Sequence, residues 1–121
     1  MTNRKVHVLG ASQNPNRYSY LVARRLIAEG YAPLLVSNKE GEVDGVSFEK
    51  KWPEDIDIDT VTMYLNPRNQ TPYLNLILQV NPKRVIFNPG AENPNLYNQL
   101  KERGIEVMNA CTLVLFSTQQ F

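Results

Sequence analysis

Gly10, Ala11 and Ser12 stand directly behind the apolar run Val6-His7-Val8-Leu9 and shortly ahead of a helix-like run that starts near Tyr18. A short buried strand that breaks at Gly and turns into a helix offers unpaired backbone N–H groups and the positive end of a helix dipole to an anion, usually a phosphate. Ser12 adds a hydroxyl that can hydrogen-bond a phosphate oxygen while its N–H points into the same nest. The next stretch, Asn14-Pro15-Asn16-Arg17-Tyr18-Ser19, supplies a cation and two more hydroxyls beside the helix start. Set against the dinucleotide fingerprint G-x-G-x-x-G, the chain reads Gly10-Ala11-Ser12-Gln13-Asn14-Pro15 and keeps only the first glycine. The competing reading is that Ser12 and Ser19 merely cap a turn and a helix.

Residue types that do covalent or acid–base chemistry are sparse. The single histidine, His7, falls inside the first strand and reads as a core or sheet-face residue. Cys111, in Asn109-Ala110-Cys111-Thr112-Leu113, has no His or Lys nearby in sequence to lower its pKa, so it reads as a buried structural thiol. There is no Cys/His cluster with metal-ligand spacing. Glu54-Asp55 and Asp57-Asp59 precede the third strand, at the sheet end away from the glycine loop, and read as solvated charge. The expectation is a binding protein and not an enzyme.

The elements that must position these residues follow from periodicity. Strands are expected at Lys5–Leu9, Ala32–Val36, Asp59–Leu65, Lys83–Phe87 and Ile105–Met108. A helix over Tyr18–Glu29 places Leu21, Val22, Leu26 and the Arg25 stem at helical spacing and stops at Gly30. Asn66-Pro67 and Thr71-Pro72 are both cap-then-proline pairs, so the next helix starts at either and runs to about Val80. Another runs from Pro94 to Arg103. Gly41–Lys51 reads as a loop or a small extra hairpin, Trp52-Pro53 as the start of a turn, and Ala110–Phe116 as a short helix or an edge segment.

Five strands separated by helices or long links, with no two-residue hairpin turn between them, predict right-handed crossovers. The expected fold is α/β: a single Rossmann-like domain over residues 1–121, with a five-stranded parallel sheet and helices on both faces. Ligands of such sheets bind outside the carboxyl ends of the strands, where the strand order reverses. That singles out Gly10–Ser19, Ser37–Gly41, Asn66–Arg68 and Asn88–Asn93.

Bulk properties set limits. The chain has 121 residues, 42% hydrophobic and 21% charged, with a formal net charge of +1. Nothing in that balance predicts nucleic acid or an anionic membrane as a partner, so anion binding must be local. A single cysteine forms no internal disulfide, the N-terminus carries no signal-peptide core, and no apolar run approaches the roughly 18 residues of a membrane span. These features fit a cytoplasmic protein.

The segments VLGASQNPNRYSYLVARRLIAEGY, LLVSNKEGEVDGVSF, DTVTMYLNP, VIFNPGAEN and GIEVMNACTLVLF, in that order, resemble the small stand-alone CoA-binding proteins of bacteria. That family is itself similar to the CoA-binding domain of the succinyl-CoA synthetase α subunit. The resemblance covers essentially the whole chain and implies a Rossmann-like binder of coenzyme A or an acyl-CoA with no established reaction. It implies a phosphate loop at Gly10, Ala11 and Ser12, extended by Arg17, Tyr18 and Ser19. The family's Asn-Pro-Lys after strand two is matched only by Asn38 and Lys39, with no proline between them. Its motif after strand four is matched by Asn88, Pro89 and Gly90, where the bend lets backbone approach a ligand. Asn66, at the carboxyl end of strand three, completes the candidate set. The synthetase's phosphorylated histidine belongs to a domain this chain lacks.

The residues themselves bear on which nucleotide is held. An NAD site wants Asp or Glu at the end of strand two for the ribose hydroxyls, whereas the 3′-phosphate of CoA wants a cation. Lys39 meets the second demand, Glu40 keeps the first open, and a surface lysine is often only solvated. Three readings stand: a non-catalytic CoA carrier, sensor or accessory to a partner enzyme; an NAD-responsive sensor or small oxidoreductase; and an interaction protein with a vestigial nucleotide site. Self-association as a homodimer is compatible with each.

Overall fold

The computed structural model describes residues 4–52 and 57–121. Glu54 and Asp55, and the turn expected from Pro53, lie outside the described residues.

The strands are β1 (Lys5–Leu9), β2 (Leu34–Val36), β3 (Glu42–Val43), β4 (Val46–Glu49), β5 (Ile58–Met63), β6 (Arg84–Phe87) and β7 (Glu106–Asn109). They form one sheet in the order β3-β4-β2-β1-β5-β6-β7. All neighbours are parallel except β3 and β4, which pair antiparallel. The expected five-stranded parallel sheet is therefore a seven-stranded, mostly parallel one. The two added strands come from Gly41–Lys51. Asp44 and Gly45, both at positive φ (47° and 87°), make a two-residue turn that pairs Val43 with Val46. Two consecutive positive-φ residues, with Asp-Gly in the turn, mark a type I′ hairpin whose twist suits the flanking strands. Of the two readings of Gly41–Lys51, a loop or a small extra hairpin, the hairpin is the one formed, and β4 extends the sheet by pairing Leu35 with Phe48.

Helices cover both faces. On one, α1 (Tyr18–Ala28) buries Ser19, Val22, Ala23 and Leu26. Val22, Ala23 and Leu26 join Val6, Val8, Leu35 and Phe116 in one core cluster. Leu21, expected to face inward, is 37% exposed instead. On the other face a second cluster includes Leu9, Val61, Met63, Ile77, Phe87, Leu96 and Leu100. Its helical part comes from α3 (Leu74–Val80) and α4 (Pro94–Glu102). Both expected starts of the helix after β5 are used. Asn66 caps the short α2 (Pro67–Gln70), a single 3-10 turn follows at Thr71–Tyr73, and α3 continues.

The tail resolves as a helix, α5 (Thr112–Ser117), which returns from the β7 edge to lie against α1. Phe121 stacks on Phe116 at 4.3 Å between ring centroids, with the Arg4 guanidinium 4.9 Å and that of Arg84 4.6 Å from the Phe121 ring. Among the described residues, no helix is long and apolar enough to cross a membrane.

Candidate functional site at the sheet switch point

From β1 the chain moves to β2 and β4 on one side, and from β5 to β6 and β7 on the other, so the order reverses between β1 and β5. Gly10 sits at that reversal with φ +98°. A Cβ there would meet Leu65 N at 3.1 Å and Tyr64 C at 3.2 Å, backbone atoms that would have to give by a few tenths of an ångström. Glycine is demanded by its conformation and by the close passage of the β5 end.

The hydrogen bonds correct one part of the sequence reading. The N–H groups of Gly10 and Ala11 both donate to the Val36 carbonyl, at 3.0 and 2.9 Å, and so tie β1 to β2 instead of facing a ligand. The loop's N–H groups left without an acceptor among the described residues begin at Ser12. Its Oγ accepts from Asn14 N–H at 3.0 Å, which leaves the hydroxyl proton to donate elsewhere. Asn14 then accepts Asn16 N–H on its side chain and Arg17 N–H on its carbonyl, both at 2.9 Å, winding the loop into the start of α1. Arg17 is the N-cap residue, with extended backbone and no side-chain cap. The N–H groups of Ser12, Gln13, Tyr18 and Ser19 have no acceptor among the described residues.

Around this loop opens a cleft of about 1240 Å³. Ten of the twelve expected residues line it: Gly10, Ala11, Ser12, Arg17, Tyr18, Ser19, Asn38, Lys39, Asn88 and Pro89. Asn66 does not; its side chain accepts from Asn69 N–H at 2.9 Å and caps α2. Gly90 does not either. With φ +93° it is the third residue of a turn closed by Ala91 N–H on the Asn88 carbonyl at 2.8 Å, so the bend presents Pro89 to the cleft.

Asn88 lines the cleft with its side chain already committed. The amide donates to Thr62 Oγ1 and the Met63 carbonyl at 2.8 and 3.0 Å, and its oxygen accepts from Thr112 N–H at 2.8 Å. It bolts the ends of β5 and β6 to the start of α5. Gln70, fully buried, plays the matching part on the other side. It donates to the carbonyls of Leu65 and Ala91 at 2.8 and 2.7 Å and accepts from Asn93 at 2.9 Å. Sequence reasoning passes over Gln70, because a polar residue in a short helix looks solvent-facing until the loops close around it.

Arg17, Lys39 and Arg68 bring three cations to the cleft lining, against the single carboxylate of Glu40. None of the three cations is in an ion pair among the described residues, whereas Glu40 contacts Lys50 at 3.5 Å. A chain of formal charge +1 thus gathers positive charge where the strand order reverses. Arg68 lies in a segment the topology singles out, yet nothing in its local sequence distinguishes it from other surface arginines. Tyr64, Tyr73, Leu113 and Val114 also line the cleft, beyond the residues expected from sequence. Leu113 and Val114 get there only because α5 doubles back.

Cys111 is the N-cap of α5, half-buried and on the cleft wall, not fully buried as the sequence suggests. The Tyr64 phenol is pushed above its usual range by burial, an effect the neighbouring Thr62 and Thr112 hydroxyls only partly offset. It therefore stays neutral at physiological pH. His7 is 3% exposed inside β1, and its Nδ1 accepts from Trp52 Nε1 at 2.7 Å, a core role as expected. Asp59 meets Arg4 at 3.1 Å at the sheet end opposite the cleft, and Asp57 is exposed there. Among the described residues, no group of three or more His, Cys, Asp or Glu side chains is placed to hold a metal ion.

Fold and cleft together define a Rossmann-like α/β protein with an anion-attracting cleft at the topological switch point. The model of the family described as CoA binding domain matches residues 4–117, nearly the full length. The chain belongs to that family. One solved structure, an uncharacterised protein, is 45% identical over 100% of both chains with a TM-score of 0.93. A Thermus thermophilus protein is 28% identical over 98% of this chain and 90% of its own, with a TM-score of 0.77. An acetyl-coenzyme A synthetase of Ca. Korarchaeum cryptofilum, in complex with phosphate and ADP, shares the fold. It is 16% identical, with 90% of this chain matching 26% of that one at a TM-score of 0.70. No curated protein sequence matches the chain.

Proposed function

We propose that the chain binds coenzyme A or an acyl-CoA in the switch-point cleft without transforming it, as a carrier, sensor or accessory of a partner enzyme. The observation that carries this reading is the gathering of Arg17, Lys39 and Arg68, free of ion pairs among the described residues, around the uncapped start of α1. CoA offers that arrangement a pyrophosphate and a 3′-phosphate. Ser12 and the N–H groups at the start of α1 suit the pyrophosphate by hydrogen bonding and helix polarity. Lys39, past the end of β2, stands where a Rossmann fold meets the ribose and suits the 3′-phosphate. Pro89 and the α5 start form the wall for the pantetheine arm.

The NAD reading keeps one specific observation, Glu40 on the same lining beside Lys39. The two differ at one phosphate. A hydrogen bond to a charged partner is worth about 1.5–3 kcal/mol, so Lys39→Ala should weaken CoA roughly ten- to a hundredfold. The same variant should bind dephospho-CoA almost as the parent does. Calorimetry on two proteins and two ligands closes the cycle. Equal losses for both ligands, or none, would remove Lys39 as the 3′-phosphate reader.

A further inference from the structure

We infer that the ligand is a CoA thioester bearing an apolar acyl group, which lies between the first turns of α1 and α5 against Tyr18, Leu113 and Val114. This rests on the coenzyme A reading above and names the class of ligand within it. If Lys39 holds the 3′-phosphate and the start of α1 the pyrophosphate, the adenosine end occupies the β2 side, and the remaining arm runs toward α5. The lining that α5 supplies there, Cys111, Leu113 and Val114, carries no charge. All three cations of the lining belong to the segments that follow β1, β2 and β5, Arg68 within α2. A charged acyl group would find no oppositely charged side chain on α5.

The apolar side chains there are also more open than a bare thiol would cover. Tyr18 is 63% and Val114 55% exposed, and both line the cleft from helices that pack against each other. With Leu21, one turn along α1 from Tyr18, they are the large apolar side chains left exposed among the described residues. An acyl chain continuous with the pantetheine arm would cover the open walls.

The probes are CoA and hexanoyl-CoA, titrated calorimetrically into the full chain. Each methylene taken out of water tightens binding by up to about fourfold, so even a half-covered six-carbon group should bind at least about tenfold more tightly than CoA. Val114→Asp puts a carboxylate into that wall at an exposed first-turn position that tolerates it, and should reduce the preference to under about threefold. CoA and hexanoyl-CoA binding equally well would overturn the inference and leave the CoA reading standing. A preference that survives Val114→Asp undiminished would also overturn it, because the acyl group would then lie elsewhere. Binding of neither ligand would refute both readings.

Discussion

Gly10 shows how much one residue decides. Its φ of +98° strains any L side chain, and the backbone of Tyr64 and Leu65, 3.1–3.2 Å from a would-be Cβ, would have to give by a few tenths of an ångström. Gly10→Ala should cost about 1–3 kcal/mol of stability through backbone strain and should widen the β1–β5 junction under the loop. Chemical denaturation checks this, and an unchanged midpoint would show that the junction relaxes freely. The glycine is legible in the sequence because a strand that ends in Gly just ahead of a helix marks a sharp turn that glycine makes most easily. The direction of its N–H is not legible there. Whether a loop N–H faces a ligand or a neighbouring strand depends on where β2 lies, and Val36 is 26 residues away in sequence.

Among elements, helices α1 and α4 and strands β1, β5 and β6 follow the periodicity, because caps, prolines and β-branched runs act locally. The β3–β4 hairpin does not, although Val43-Asp44-Gly45-Val46 carries the Asp-Gly signal. Its strands, of two and four residues, are too short to show an alternating pattern, and are defined by β4 pairing with β2 and β3 pairing with β4. Helix α5 is ambiguous in the sequence, since six residues give under two helical turns of pattern. What fixes its start is a tertiary bond, from Thr112 N–H to the buried Asn88 side chain. Asn88→Ala would strand that N–H, at about 1–3 kcal/mol for an unsatisfied buried group, while the Met63 carbonyl keeps the Asn88 backbone N–H at 3.2 Å. The expected outcome is a melting temperature lower by several degrees, with faster hydrogen exchange at the start of α5. A variant as stable as the parent would mean that water replaces the amide.

At the scale of the molecule the two ends of the sheet have separate tasks. The carboxyl ends of the strands hold the cleft, while Arg4 and Asp59 tie the opposite end together. Burial alone would raise the Asp59 carboxyl. The Thr60 hydroxyl and the Arg4 guanidinium outweigh it and hold the group below the usual carboxylate range. A carboxyl held low contributes stability that is complete above its unfolded value near about 4 and is lost as pH falls through the folded one. Asp59→Asn should therefore lower stability at neutral pH by less than about 1 kcal/mol, the pair being only partly buried, and the gap should close below about pH 4. Denaturant titrations at several pH values would show it, and a gap constant down to the acid limb would assign the loss to something other than charge.

The central claim is that the switch-point cleft selects coenzyme A over a dinucleotide. Isothermal titration of the unmodified chain with CoA and with NAD, under identical buffer and salt, puts that claim to a single comparison. The account predicts saturable binding of CoA at one site per chain, with NAD at least about a hundredfold weaker, a difference of roughly 2.7 kcal/mol. Tight binding of NAD with no heat from CoA would contradict it, and would make Glu40, not Lys39, the residue that reads the ribose.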